Sequence, residues 1–163
     1  MLRAQTIIMN IVAVLLGLIL VMPSAAAQDS AGDAMSEIND TRQLVEMPPQ
    51  VQAMLRQDMR AHLHSLHAII AALAEQRLEA AADIASQQLG SASMGRHRDS
   101  GGGPGRHMPA AMRSIGMRMH AAADALAEDL AAAANTGDQT AAMQQLAQVT
   151  AACSACHAAY RIR

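Results

Sequence analysis

Apolar residues recur at every third or fourth position in four segments of the chain. The first segment begins near Val51, and its repeating apolar positions are Leu55, Met59, Leu63, Leu66, Ile70 and Leu73. At about 100° per residue, these positions form a single stripe along a helix, with Met59 at the centre of the stripe. Proline is tolerated in the first turn of a helix, so Pro48 and Pro49 mark where this helix begins.

Three further segments predict helices with the same periodicity. The second runs from Leu78 to Leu89 and is followed by Gly90, a natural stop. The third begins at Pro109, and its apolar stripe consists of Met112, Gly116, Met119, Ala123, Leu126 and Leu130. After a turn at residues 135–138, the fourth extends from about Gln139 to Tyr160. Four such helices, joined by one long and two short connections, predict an all-α fold, an antiparallel four-helix bundle without strands.

The long connection, residues 91–107, has a composition that opposes regular structure. It contains the run Ser100-Gly101-Gly102-Gly103-Pro104-Gly105. Glycine and proline at this density favour turns and loops. We therefore expect a flexible crossover between the second and third helices.

The composition points to the same fold class. The chain has 163 residues, enough for one domain, and 52% are hydrophobic, but there is no Trp, no Phe and a single Tyr. Sheets draw on aromatic and β-branched residues, whereas this chain uses the helix formers Ala, Leu, Met and Gln. Its 12 basic residues, all Arg, are set against 14 acidic residues for a net charge of −2. This balance leaves no basic excess for binding nucleic acid.

The first 27 residues have the three parts of a secretory signal peptide. Arg3 precedes an apolar run over residues 7–22, and the small residues that follow predict cleavage after residue 27. This run is shorter than the ~20 residues of a membrane-spanning helix, so we expect export to the periplasm and no stable membrane insertion after cleavage. The mature chain would then have a flexible leader over residues 28–46 and one helical domain over residues 47–163.

Both cysteines belong to one motif, Cys153-Ser154-Ala155-Cys156-His157, in the predicted fourth helix. A CxxCH motif is typical of covalent attachment of c-type haem. Two cysteines three positions apart share one face of a helix, so both sulfurs can bond to vinyl groups of the same porphyrin, and His157 can ligate the iron. A disulfide is disfavoured because no strand precedes the pair, and zinc is disfavoured because no second paired motif supplies further ligands.

With a CxxCH motif in the last helix of a four-helix bundle, closely followed by Tyr160 and Arg161, the chain resembles the class II c-type cytochromes, the cytochrome c-prime group. The resemblance implies one covalent haem c between the helices, bound by Cys153 and Cys156, with His157 as the proximal ligand. It also implies that Arg161 lies near the haem or its ligand. The partners would be redox proteins, and the resemblance leaves a homodimer open.

The sixth position of the iron determines which function the resemblance implies. A methionine from the first helix would make an electron carrier, and Met59 is our candidate because of its central place on the apolar stripe. A methionine on such a stripe is also common core filler. His62 is the rival ligand, about 60° from Met59 at the edge of the stripe. A vacant sixth position would instead make a five-coordinate protein that binds nitric oxide or carbon monoxide.

No other pattern in the sequence indicates catalysis, so we do not expect an enzyme. Copper is a weaker hypothesis, because the relevant residues form no tight repeated motif and a glycine-rich loop is ordered at an entropic cost. The residues that suggest copper are His97, His107, His120, Met94, Met108, Met117 and Met119. Arg56, Arg60 and Arg113 are candidates for pairing with haem propionates, although a solvated helix face is the better explanation for any one of them.

Overall fold

The computed structural model describes residues 40–97 and 102–163, most of which are helical. The four α-helices are α1 (Pro49–Ala74), α2 (Leu78–Ile84), α3 (Ala110–Thr136) and α4 (Thr140–Ala159). A π-helical turn, Ala85–Leu89, continues α2. The predicted helical class and the four predicted segments are confirmed. The predicted signal peptide and the leader up to residue 39 lie outside the described residues.

Local backbone chemistry sets the helix ends close to their predicted positions. The carbonyl of Pro48 accepts the amide N–H groups of Val51 and Gln52 at 2.9 and 3.0 Å, so the first turn of α1 forms around the proline pair. Gly137 ends α3 in a left-handed conformation with φ of 78°, and its N–H donates to the Ala133 carbonyl at 2.7 Å. Glycine adopts this conformation at low cost, which is why a helix commonly stops there.

All four helices contribute to one hydrophobic cluster, which we call the main core. Its largest fully buried side chains are Ile69, Leu89, Leu126, Leu130 and Val149. Between them lie many alanines, including Ala72, Ala81, Ala123 and Ala142. Small side chains let helix backbones approach closely, so aliphatic residues fill this core without any aromatic ring.

The buried face of α1 is rotated from the predicted stripe. Leu63 and Ile70, which the periodicity placed inside, are 68% and 49% exposed, and Met59 is 37% exposed. The buried positions are Val51, Leu55, Ser65, Ile69, Ala72 and Leu73. The predicted stripe was chosen by hydrophobicity alone. Where two helices approach most closely, packing also requires small residues, and for this reason Ser65 and Ala72 are buried. The Ser65 hydroxyl is satisfied there, 2.9 Å from both the Ala61 carbonyl and Oε1 of Gln88.

A second cluster and a short pair of strands form where residues 43–47 meet the end of α4. Strand β1 (Gln43–Leu44) pairs in parallel with β2 (Tyr160–Arg161), and the N–H of Val45 donates to the Arg161 carbonyl at 2.8 Å. The second cluster buries Val45, Met47, Val51, Leu55 and Met112, with Met54, Met108, Cys156, Tyr160 and Ile162 packed against them.

Two expectations are corrected here. The prediction of no strands was wrong, because the extended ends of the domain satisfy their backbone groups by pairing with each other. The leader that the sequence predicted to be flexible up to residue 46 is structured at its end, because Gln43 and Leu44 form β1 and the apolar Val45 is only 4% exposed.

The described parts of the crossover, residues 91–97 and 102–107, are more ordered than their composition predicted. Residues Ser91–Gly95 and Pro104–His107 form 3₁₀ turns. Nε2 of His97 lies 2.8 Å from both carboxylate oxygens of Asp58 on α1, and Arg96 forms an ion pair with the same carboxylate at 3.7 Å. These side-chain contacts anchor the crossover beside α1, which a composition rule based on glycine and proline does not detect.

Candidate functional site

The CxxCH motif occupies the last two turns of α4, and each of its two cysteines packs against one of the two hydrophobic clusters. Cys153 packs against the main core and Cys156 against the second cluster. Both side chains are half-buried, and both are free thiols rather than a disulfide. Because the two cysteines are three positions apart on α4, they lie on neighbouring positions of one side of the helix.

Burial raises the pKa of both thiols. Desolvation raises the pKa of Cys153, and desolvation together with the neighbouring Cys153 raises that of Cys156. Within residues 40–97 and 102–163, no three His, Cys, Asp or Glu side chains are grouped as a metal site.

The residues that follow the cysteines lie closer to solvent. The His157 side chain is exposed, and its backbone carbonyl accepts a 3.4 Å hydrogen bond from Nη1 of Arg42. Tyr160 and Arg161 form β2, and both are half-buried beside β1. The proposed axial nitrogen of His157 is thus sterically accessible on the surface of α4.

Met59 and His62 line a different feature, a cavity of about 350 Å³ between α1, the crossover and α3. We call it the His/Met cavity. Cys153, Cys156 and His157 are not among its lining residues. Leu55 and Met108 belong both to the cavity wall and to the second cluster, and Cys156 packs against that cluster. These two side chains connect the cavity to the cluster beside the CxxCH motif.

Within this cavity, His62 is closer to the buried face of α1 than the sequence indicated. The prediction placed Met59 at the centre and His62 at the edge, but the rotation of α1 reverses that order. Burial lowers the pKa of His62, with further lowering from His120 and Arg96 and an opposing contribution from Asp58.

Sequence analysis missed the pairing of His62 with His120. The two rings meet edge to face with centroids 5.7 Å apart. Nδ1 of His120 lies 2.6 Å from the Leu89 carbonyl. In the sequence, the position of His120 next to Met119 on the apolar stripe of α3 indicated that His120 lies near the core. The pattern of α1 gave no indication that His62 would contact His120.

No helix of the described segments has the length and the apolar character needed to cross a membrane.

The chemistry of the donor set fits covalent haem. Two free thiols on one helix face and an accessible imidazole beside them are the groups that a c-type haem needs.

Comparison with known families supports this fit. Residues 107–161, which include α3, α4 and the CxxCH motif, match the family model described as Cytochrome C'. No curated protein and no solved structure shows significant similarity to the chain. The family match confirms the resemblance that the motif and its position in the last helix indicated. Helices α1 and α2 lie outside the matched segment.

Proposed function

From the match of residues 107–161 to the Cytochrome C' family, we propose that this chain is a periplasmic electron-transfer protein with one covalently attached haem c. The observation that carries the proposal is the pair of half-buried cysteines on α4, not joined to each other by a disulfide and directly followed by an exposed histidine. We propose no catalytic reaction. The periplasmic location rests on the N-terminal apolar segment.

In this proposal, the residues of α4 hold the haem. Cys153 and Cys156 form thioether bonds to it, and His157 provides the proximal nitrogen. The bound haem supplies one-electron redox chemistry. The apolar side chains beside Cys156, such as Val51, Leu55 and Met112, exclude water from that side of the motif. We propose that Arg161, two residues beyond α4, contributes positive charge near the haem, as the family resemblance implies.

We propose Met59 as the sixth ligand. Met59 is 37% exposed and lines the His/Met cavity, so the main core does not enclose its side chain. Leu55, one turn earlier on α1, reaches the second cluster against which Cys156 packs. A neutral thioether opposite histidine raises the reduction potential relative to two histidines, which suits an electron carrier.

A second candidate function is binding of nitric oxide or carbon monoxide at a five-coordinate iron. The observation that favours it is the cavity of about 350 Å³ beside Met59, which has room for a diatomic molecule. His62 also lines this cavity and is the rival sixth ligand.

The absorption spectrum of the oxidised protein separates these candidates. Ligation by Met59 predicts low-spin iron with a weak thioether–iron band at long wavelength, and a vacant position predicts high-spin bands. Met59→Leu keeps most of the side-chain volume but removes the sulfur, so it should convert the iron to high spin and create carbon monoxide binding.

Met143→Leu is the matched control, because Met143 is an exposed methionine on α4 outside the cavity. It should leave the spectrum unchanged. An unchanged spectrum in Met59→Leu would refute ligation by Met59, and His62→Ala would then show whether His62 binds the iron.

A further inference from the structure

The carbonyl groups at the end of α4 need partners from outside the helix, because the last four carbonyls of an α-helix have none within it. In α4, the final bond of the helix runs from the N–H of Tyr160 to the Cys156 carbonyl. The next carbonyl along the chain is that of His157, and Nη1 of Arg42 donates to it at 3.4 Å. Arg42 precedes His157 by 115 positions, so this cap comes from the opposite end of the domain.

The pairing of β1 with β2 places Arg42 at this position. Gln43 pairs in register with Tyr160, so the residue before β1 lies beside the last turn of α4. The N–H of Val45 donates to the Arg161 carbonyl at 2.8 Å. Val45 is also buried within the second cluster, which anchors the segment. The place of Arg42 is therefore set by the packed segment that follows it.

An arginine at this position brings a permanent positive charge to the C-terminal end of α4, because the guanidinium group is always protonated in proteins. A cation there also interacts favourably with the partial negative charge of the last carbonyls of the helix. The carbonyl that Arg42 contacts belongs to His157, the proposed proximal ligand. The Arg42 side chain is exposed, so water and salt screen its charge.

We propose that Arg42 is a positioning residue for the proximal histidine. Its guanidinium group holds the backbone of His157 at the end of α4 and keeps a positive charge beside that residue. Ferric haem carries one more positive charge than ferrous haem, so a fixed cation nearby favours the ferrous state and raises the reduction potential. This inference rests on the proposed function, because it requires that His157 ligate the iron of a covalent haem. The sequence assigned residue 42 to the flexible leader and gave no sign of this role.

The test compares Arg42→Met with the parent protein, both with haem, in a spectroelectrochemical titration with redox mediators. Methionine keeps an unbranched side chain but removes the charge and the hydrogen-bond donors. At the potential that leaves the parent half-oxidised, we expect the ratio of ferric to ferrous haem to be roughly 2- to 5-fold higher in Arg42→Met, as for a charge interaction in water. The difference should become smaller in about 1 M salt, which screens exposed charges.

Hydrogen exchange of the Tyr160 amide measures the positioning itself. This N–H bonds to the Cys156 carbonyl in the turn that Arg42 caps. Loss of the cap in Arg42→Met should speed the exchange roughly 2- to 10-fold. Arg42→Lys keeps a charged donor of similar length, so it should restore the parent's potential and most of the protection at Tyr160.

Arg77→Met is the matched control, because it removes the same charge from an exposed arginine at the other end of α4. Arg77 follows Gln76, whose Oε1 accepts a hydrogen bond from Gln139 just before α4 begins. Arg77→Met should leave both the reduction potential and the exchange of the Tyr160 amide unchanged. If circular dichroism shows that Arg42→Met is unfolded, Arg42→Gln replaces it, since glutamine removes the charge and keeps a donor, and the potential then decides.

A parent protein without covalent haem after acid–acetone extraction would refute the proposed function, and this inference with it. With the haem attached, the inference alone is overturned if Arg42→Met has the parent's potential or if Arg77→Met lowers the potential equally. A lowered potential with unchanged exchange at Tyr160 also overturns it, because Arg42 would then act on the haem without holding His157. Faster exchange with an unchanged potential overturns it as well, because Arg42 would then be only a cap of α4.

Discussion

At the residue scale, His62 is the side chain whose surroundings matter most. Its ring is half-buried on α1, with His120 and Arg96 nearby and Asp58 as the opposing charge. Sequence periodicity placed this residue at the margin of the helix face. The structure instead makes it part of the wall of the His/Met cavity.

The lowered pKa of His62 predicts a pH-dependent stability. Below its ordinary pKa of 6.5, the unfolded chain takes up a proton that the folded chain resists. The contribution of neutral His62 to folding is therefore present above pH 6.5 and is lost as the pH falls through the folded-state pKa. Urea denaturation at pH 7.5 and at pH 5 should show a smaller loss of stability for His62→Gln than for the parent protein.

His64→Gln, on an exposed face of the same helix, controls for other groups that titrate in this range. It should retain the parent's loss of stability on acidification. If His62→Gln shows that same loss, burial of the neutral imidazole is not its cause.

At the element scale, the two-residue strands β1 and β2 join the beginning of the domain to its end. Each strand is too short to be stable alone. The pairing persists because Val45 and Met47, next to β1, pack against Tyr160 and Ile162 at the end of α4. Since Cys156 packs against the same cluster, the segment that the sequence assigned to a leader supports the haem-attachment motif.

Truncation of Val45 tests this support. Val45 is 4% exposed, so Val45→Ala should lower the free energy of unfolding by roughly 1.5 to 3 kcal/mol through lost methyl burial and a residual cavity. The adjacent Glu46 is exposed, and Glu46→Ala should change stability by less than about 0.5 kcal/mol. Chemical denaturation of both variants and the parent protein measures these two changes in the free energy of unfolding. Equal effects would show that residues 43–47 do not support the domain.

At the scale of the whole molecule, the two clusters respond differently to loss of the haem. The main core contains Ile69, Leu126 and Val149 and is the larger cluster, with Cys153 packed against it. The second cluster is smaller, with Cys156 packed against it, so a haem bound there would be a larger share of its apolar surface. A chain without haem should therefore keep most of its helix and lose order first around the second cluster.

Replacing both cysteines with alanine tests this division and the covalent attachment together. Cys153→Ala/Cys156→Ala should release its haem completely on acid–acetone extraction, because no thioether remains. Most of the far-ultraviolet circular dichroism should persist, while amide exchange near Val51 becomes faster. Ser154→Ala, an exposed substitution between the cysteines, should retain covalent haem. Haem that survives extraction in the double variant would contradict attachment through these thiols.

Local chemistry allowed the sequence by itself to determine the helices, their ends and the attachment motif. Helical periodicity and the stops at Gly90 and Gly137 depend on a few neighbouring residues. The CxxCH spacing has a chemical meaning wherever a helix carries it, and so the family resemblance could be stated before the fold was known.

Only the tertiary structure decided which face of α1 is buried, because that depends on which helices approach α1 and not on its own hydrophobicity. The same approach brings His62 to His120, 58 positions apart in sequence, and joins β1 to β2 from opposite ends of the domain. It also brings Asp58 to His97 and so orders part of a crossover that its glycines and prolines predicted to be flexible. These contacts are long-range, and no periodicity within one segment encodes its partner in another.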